Sequence, residues 1–187
     1  MAVPVIDLLD PEAPRRIDEA CRTWGFFSIV GHGVDDRVIA EAWDEMRAFF
    51  ALPTTDKLAV HVPDHPYGYF PMASERLARS LGEETPPDLK ESFNLGPHPR
   101  HDDGSGAFGS HARLWPDEPA GLRAAWAEYY ERLGELGDRL MRLFAVALDL
   151  PATHFDRYVD HPLHALRGLH NPPVARPQPG QLRAGPP

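Results

Sequence analysis

Eight apolar residues in the second half of the chain follow one another at intervals of 4, 3, 4, 3, 4, 3 and 4: Leu122, Trp126, Tyr129, Leu133, Leu136, Leu140, Leu143 and Ala147. That spacing keeps one face of an α-helix apolar along its whole length. It predicts a helix over about 119–148, roughly 45 Å long at about 1.5 Å per residue. The charged residues Arg123, Glu128, Glu131, Arg132, Glu135, Asp138 and Arg139 lie mostly off the seam. Gly134 and Gly137 are poor choices for a free coiled coil. The pattern therefore predicts a helix laid against a sheet, and an α+β fold.

The N-terminal third supplies candidate sheet strands. Val3-Pro4-Val5-Ile6-Asp7-Leu8 has its proline near the start and suits an edge strand. Asp10 before Pro11 reads as an N-cap with proline at the first helical position, opening a helix to about Trp24 that Gly25 ends. Phe26-Phe27-Ser28-Ile29-Val30, bounded by glycines, predicts a buried strand. A second helix follows with Val38, Ile39, Ala42, Trp43, Met46, Phe49 and Phe50 on one stripe, stopped by Pro53. A short turn is expected over Thr54–Leu58. From Val60 to about Pro119 the chain is rich in proline, glycine and histidine. There Leu77, Ala78 and Leu81 permit a helical turn, Glu91–Leu95 alternates like a strand, and 97–111 reads as an exposed loop. Phe155 and Tyr158 are expected to turn inward from a short helix begun at Pro151, and Leu163–His170 to be extended.

Several function classes are excluded or weakened by composition. The formal charge of −9 leaves no basic footprint for nucleic acid or for an anionic membrane. No stretch approaches the ~20 apolar residues that span a bilayer. The N-terminus MAVPVIDLLD lacks the basic and long apolar regions of a secretory signal, and the expected compartment is the cytoplasm. Cys21 is the single cysteine, so neither a disulfide within the chain nor a cysteine zinc site forms; its helical setting predicts a small buried thiol. No oligomeric state is assigned by the sequence.

The residues alone carry no visible active site. His98, His101, Asp102 and Asp103 gather metal-type ligands, but in a proline- and glycine-rich loop whose ordering costs entropy. A histidine-loop metal binder would lose its metal on joint His98→Ala and His101→Ala substitution. His161 and His164 flank Pro162, and His61 and His65 straddle Pro63, so neither pair has the specificity of a helical HExxH. His32, between two glycines, is expected to hydrogen-bond local backbone. Glu83-Glu84 are sequence neighbours, which point apart. There is no GxSxG elbow and no phosphate-cradling GxxxxGK[ST] loop.

Taken together, several segments resemble one family in the right order: VPVIDL at 3–8, WGFFSIVGHGV at 24–34, FFALPTTDK at 49–57, YGYFPMASE at 67–75, DLKESFNLG at 88–96, HPLHALRGLHNPP at 161–173 and PGQLRAG at 179–185. They are similar to the N-terminal portion of the isopenicillin N synthase-like non-haem iron oxygenases. The resemblance implies an N-terminal α+β region over 1–160 and, over 161–187, the approach to a double-stranded β-helix (jelly roll) whose main core is missing.

It also implies Fe(II) and 2-oxoglutarate as cofactors of the complete enzyme, which would oxidise a small molecule, with iron held by two histidines and an aspartate. In the family an HxD motif follows the strand that RAG begins, whereas Pro186 and Pro187 follow Gly185 here. His161, His164 and His170 precede that strand and do not replace the ligands. The expectation is a chain that holds neither cofactor and is not catalytically competent alone. Asn171 stands where relatives carry a tyrosine able to contact the cosubstrate, and Gly168 where a larger apolar residue is usual. Tyr69, Phe70, Glu91 and Arg167 are the candidates for a wall of the substrate pocket. The alternative is a non-catalytic α+β module that binds another protein through an uncovered apolar surface.

Overall fold

The computed structural model describes residues 2–74, 88–97, 111–160 and 162–173. Expectations for Leu77, Ala78 and Leu81, Glu83-Glu84, the loop segment 98–110, His161 and the strand at 181–184 lie outside them. No helix among the described residues is long and apolar enough to cross a membrane.

The chain divides into two compact units. One is formed by Met1–Ala42 with Ala124–Pro162, the other by Trp43–Arg123 with Leu163–Pro187. In the first unit, strand β1 (Val5–Asp7) pairs in parallel with β2 (Ser28–Val30), with Val5 opposite Ser28 and Asp7 opposite Val30. A parallel pair needs a crossover, and helix α1 (Ala13–Thr23) supplies it. The Asp10 carboxylate accepts from the Glu12 amide at 2.9 Å, so it shapes the turn before the helix. The helix itself starts at Ala13 after Glu12, later than the expected Asp10–Pro11 cap. Gly25, at φ +76°, ends α1 where a left-handed residue is needed, its amide returning to the Ala20 carbonyl at 3.2 Å.

Ile6, Ala13, Ile17 and Ala20 form the core of this unit, with Phe27, Leu143, Phe144 and Ala147 against them. Helix α2 (Asp36–Ala51) begins in the first unit and ends in the second, as helix α4 (Leu122–Ala147) begins in the second and continues into the first. Trp126 on α4 donates its indole N–H to the Ala42 carbonyl at 2.9 Å. Arg139 donates to the Leu8 carbonyl at 2.9 Å, so one guanidinium satisfies a loop carbonyl beside the small sheet.

Four expectations are corrected here. Cys21 is exposed, because the apolar face of α1 is carried by Ile17 and Ala20 and the thiol falls outside it. The strand at 26–30 is not buried: Phe26 and Val30 are exposed, since a two-stranded sheet covers one face only. Trp43 leaves the α2 stripe and is exposed, with the Arg47 guanidinium 5.7 Å from its ring centroid. Tyr158, on the short helix α5 (Asp156–Val159), is exposed beneath the guanidinium of Arg157.

The long helix is present, but its deepest positions are Leu122, Trp126, Tyr130 and Ala145, with Tyr129 only half-buried. At about 3.6 residues per turn each four-residue step turns about 40° around the helix. The buried stripe through Leu122, Trp126 and Tyr130 is therefore centred on Trp126 and lies nearer Tyr130 than Tyr129.

The second unit is built on an antiparallel sheet in the order β3 (Gly68–Phe70), β4 (Glu91–Leu95), β5 (Leu166–His170). Helix α3 (Thr54–Lys57) and a 3-10 turn (Leu58–Val60) precede it. Residues opposite one another on adjacent strands share a face. Tyr69 lies opposite Phe93, Phe93 opposite Gly168, and Glu91 opposite His170. Phe70 lies opposite Ser92, Ser92 opposite Leu169, and Asn94 opposite Arg167. The register thus sorts the sheet into one face with Tyr69, Glu91, Phe93 and His170, and another with Phe70, Ser92, Asn94, Arg167 and Leu169.

Candidate functional site

The first face of the sheet carries a buried ionic cluster. Phe49 of α2 packs edge-on against Tyr69 and Phe93, with ring centroids 5.9 and 5.1 Å apart, and this aromatic layer excludes water. Lys57, at the end of α3, is 5% exposed and Glu91 on β4 is 4% exposed. The Lys57 ammonium donates to Glu91 Oε2 at 2.8 Å and to the Phe50 carbonyl at 3.1 Å. The Tyr69 phenol donates to the same Oε2 at 2.5 Å. His170 Nδ1 lies 2.7 Å from Oε1, and its ring rests on Phe50 at 5.1 Å between centroids.

Burial opposes the charge on Glu91, yet hydrogen bonds from Lys57, Tyr69 and His170 outweigh it and hold its pKa below the ordinary glutamate value. Burial, together with the neighbouring carboxylate, pushes the Tyr69 phenol well above the usual tyrosine range. The carboxylate is therefore ionised and the phenol protonated at neutral pH. A fully engaged network of this kind fastens α3 and three strands together.

The second face is different in kind. Arg167 donates through Nη2 to the Ser92 hydroxyl at 3.0 Å. Asn94 donates its amide nitrogen to the Pro66 carbonyl at 3.3 Å, while its Oδ1 is buried without a hydrogen-bond partner. Phe70 is half-buried and Leu169 exposed.

The four pocket-wall candidates thus fall on one sheet but on opposite faces: Tyr69 and Glu91 within the ionic cluster, Phe70 and Arg167 on the polar face. Sequence reasoning did not single out Lys57 and His170 as partners of Glu91. A lysine two residues after Thr55 carries no burial signal, and the alternation Leu166, Gly168, His170 was the one available hint for the histidine. The expectation for His32 agrees with the structure: its Nδ1 accepts from the Val34 amide at 3.1 Å. His61 and His65, read from the sequence only as a weak pair across Pro63, engage the backbone of Tyr69 and Tyr67.

Iron does not fit these residues. Among the described residues no group of three or more histidine, cysteine or carboxylate side chains is arranged to hold a metal ion. Both Glu91 oxygens are taken by the ammonium, the phenol and the imidazole.

The geometry is that of a fastened sheet with one polar face, and comparison with known proteins places it. The family model described as non-haem dioxygenase in morphine synthesis N-terminal matches residues 3–118, and the chain belongs to that family. It is 27% identical over 199 residues to the 2-oxoglutarate-dependent dioxygenase thnC of Trichoderma harzianum, covering 99% of this chain and 60% of that protein. It is 28% identical over 180 residues to the 2-oxoglutarate-Fe(II) type oxidoreductase hxnY of Emericella nidulans, covering 91% and 50%. The crystal structure of a full-length Neurospora crassa protein in complex with alpha-KG and thymine superposes with a TM-score of 0.75 at 26% identity, covering 98% of this chain and 60% of that one. The chain thus corresponds to the N-terminal region of larger Fe(II)/2-oxoglutarate-dependent oxygenases and spans about half the length of these relatives.

Proposed function

We propose that this chain is the N-terminal part of a dioxygenase that uses Fe(II) and 2-oxoglutarate to oxidise a small molecule. The family match over residues 3–118 carries the reading. In it, residues 1–160 form the α+β region, and 161–187 lead into a double-stranded β-helix. The iron ligands belong to the portion of the relatives that this chain does not span. The three-stranded sheet forms part of the substrate-cavity wall. Phe70 and Arg167 face the substrate, while Tyr69 and Glu91 act from behind by holding the strands that present them. The small molecule held with alpha-KG in the N. crassa crystal structure is thymine, which supports a small molecule as the substrate class.

Succinate formation from 2-oxoglutarate, under air with Fe(II) and ascorbate, tests this. The chain alone is expected to form none above a protein-free control. A chimera that continues it with the remaining portion of the T. harzianum relative is expected to form succinate. Robust turnover by the chain alone contradicts the placement of the iron ligands. A folded chimera that loads Fe(II) yet forms no succinate favours the non-catalytic binding module instead.

A further inference from the structure

Two imidazoles from distant parts of the chain meet within the second unit. His65 lies between the 3-10 turn and β3, and His111 stands far along the sequence from it, yet their ring centroids are 5.0 Å apart at an interplanar angle of 73°. The buried Tyr67 ring packs on both, its centroid 5.8 Å from that of His65 and 6.4 Å from that of His111. Two imidazoles that share one metal ion at about 2.1 Å, with N–metal–N angles of about 90–110°, have centroids about 4.6–5.3 Å apart. The observed spacing falls inside that window.

The backbone holds His65 as metal-ligating histidines are held. Its Nδ1 lies 3.2 Å from both the Tyr67 amide nitrogen and the Tyr67 carbonyl oxygen. With Nε2 protonated, Nδ1 accepts from the amide; with Nδ1 protonated, it donates to the carbonyl. The second tautomer leaves the Nε2 lone pair free, and a ring N–H on a backbone carbonyl orients a ligating imidazole and raises its basicity. His111 makes no hydrogen bond among the described residues, so a half-turn of its ring brings either nitrogen forward. Both residues are half-buried, and neither His65 Nε2 nor a His111 nitrogen is among the buried polar atoms left without a partner. These nitrogens are therefore open to solvent.

We propose that His65 and His111 form a two-imidazole site for a divalent transition ion, with Cu(II) held most tightly. Imidazole suits copper, nickel and zinc, and affinity at such a site peaks at Cu(II). Mg(II) and Ca(II), which take oxygen ligands, are rejected. No third histidine, cysteine or carboxylate among the described residues completes the site, so water fills the remaining positions and the ion exchanges readily. The ion acts as a clip between the entry to β3 and a distant segment, stabilising the fold because the unfolded chain lacks the paired arrangement. It takes no part in the proposed oxidation.

Electron paramagnetic resonance of the 187-residue chain with up to one equivalent of Cu(II) tests this. Coupling of the copper to two imidazole nitrogens is expected. His65→Phe and His111→Phe, which keep an aromatic ring in place, should each leave at most one coupled nitrogen. Each should weaken Cu(II) at least about ten-fold, since outer-shell partners alone are worth about 10–100-fold. Joint His98→Ala and His101→Ala substitution should leave the affinity unchanged. Excess Mg(II) should not displace the copper. One coupled nitrogen, or none, in the parent chain overturns the inference without any variant. Unchanged affinity in a His65→Phe or His111→Phe chain that circular dichroism shows to be folded also overturns it. Loss of binding in the joint His98 and His101 variant does the same, because it moves the ion to that loop.

Discussion

Replacing Glu91 by glutamine removes one charge from the most deeply buried ion pair among the described residues. At the observed 2.8 Å between Lys57 Nζ and Glu91 Oε2, two unit charges attract by about 6 kcal/mol at an effective dielectric constant near 20. Much of that offsets the desolvation of the pair, and removing one partner of a buried pair typically costs about 3–5 kcal/mol because the other charge is left uncompensated. Glutamine also has one acceptor oxygen where the carboxylate serves three donors. Glu91→Gln is therefore expected to lower the unfolding free energy by about 3–5 kcal/mol. Adding Lys57→Met removes the stranded ammonium and should restore about 2 kcal/mol of that loss. Urea denaturation followed in parallel by far-UV circular dichroism and tryptophan fluorescence measures both values and reveals whether the two units unfold together. A Glu91→Gln loss below about 1 kcal/mol is incompatible with a buried, coupled pair, as is a double variant whose loss equals the sum of the two singles.

Three further outcomes follow from the same geometry. Because the folded pKa of Glu91 is depressed, its stabilisation is fully present above the ordinary glutamate range and is lost as pH falls through the lower folded value; the acid limb of a pH–stability profile should be flatter in Glu91→Gln. Tyr69, whose folded pKa is raised, contributes stability below the ordinary phenol range that is lost as pH rises beyond it. Tyr69→Phe should cost about 1.5–3 kcal/mol near neutrality, the value of a hydrogen bond to a charged group, and flatten the alkaline limb. Gly68→Ala should cost more than about 2 kcal/mol by thermal or chemical denaturation, since Gly68 has φ +91° and an added Cβ would collide with the Val60 carbonyl oxygen.

What the sequence disclosed was set by short-range physics. Glu91–Leu95 was legible as a strand because its alternation is local, and the long helix because its seam repeats over seven steps. Gly25 as a helix stop and His32 as a backbone partner depend on immediate neighbours. The polarity of the sheet was not legible. Whether Arg167 shares a face with Asn94 or with Glu91 depends on strand register, and register pairs residues more than 70 positions apart. Lys57 was missed for the same reason: a lysine is ordinarily solvated, and its burial here is decided by a carboxylate 34 residues away. Cys21 and Trp43 were misplaced because the helical stripes that bury Ile17 and Met46 are narrower than their apolar neighbours suggest.

In the proposed enzyme these residues shape and fasten a substrate wall while the iron is held elsewhere. The visible absorption spectrum of the chain with Fe(II) and 2-oxoglutarate, recorded without oxygen, separates the two roles in one experiment. No charge-transfer band is expected from the chain alone, and such a band is expected from the chimera that adds the remaining portion of a relative. A band that grows to one equivalent of iron with the chain alone would contradict this division.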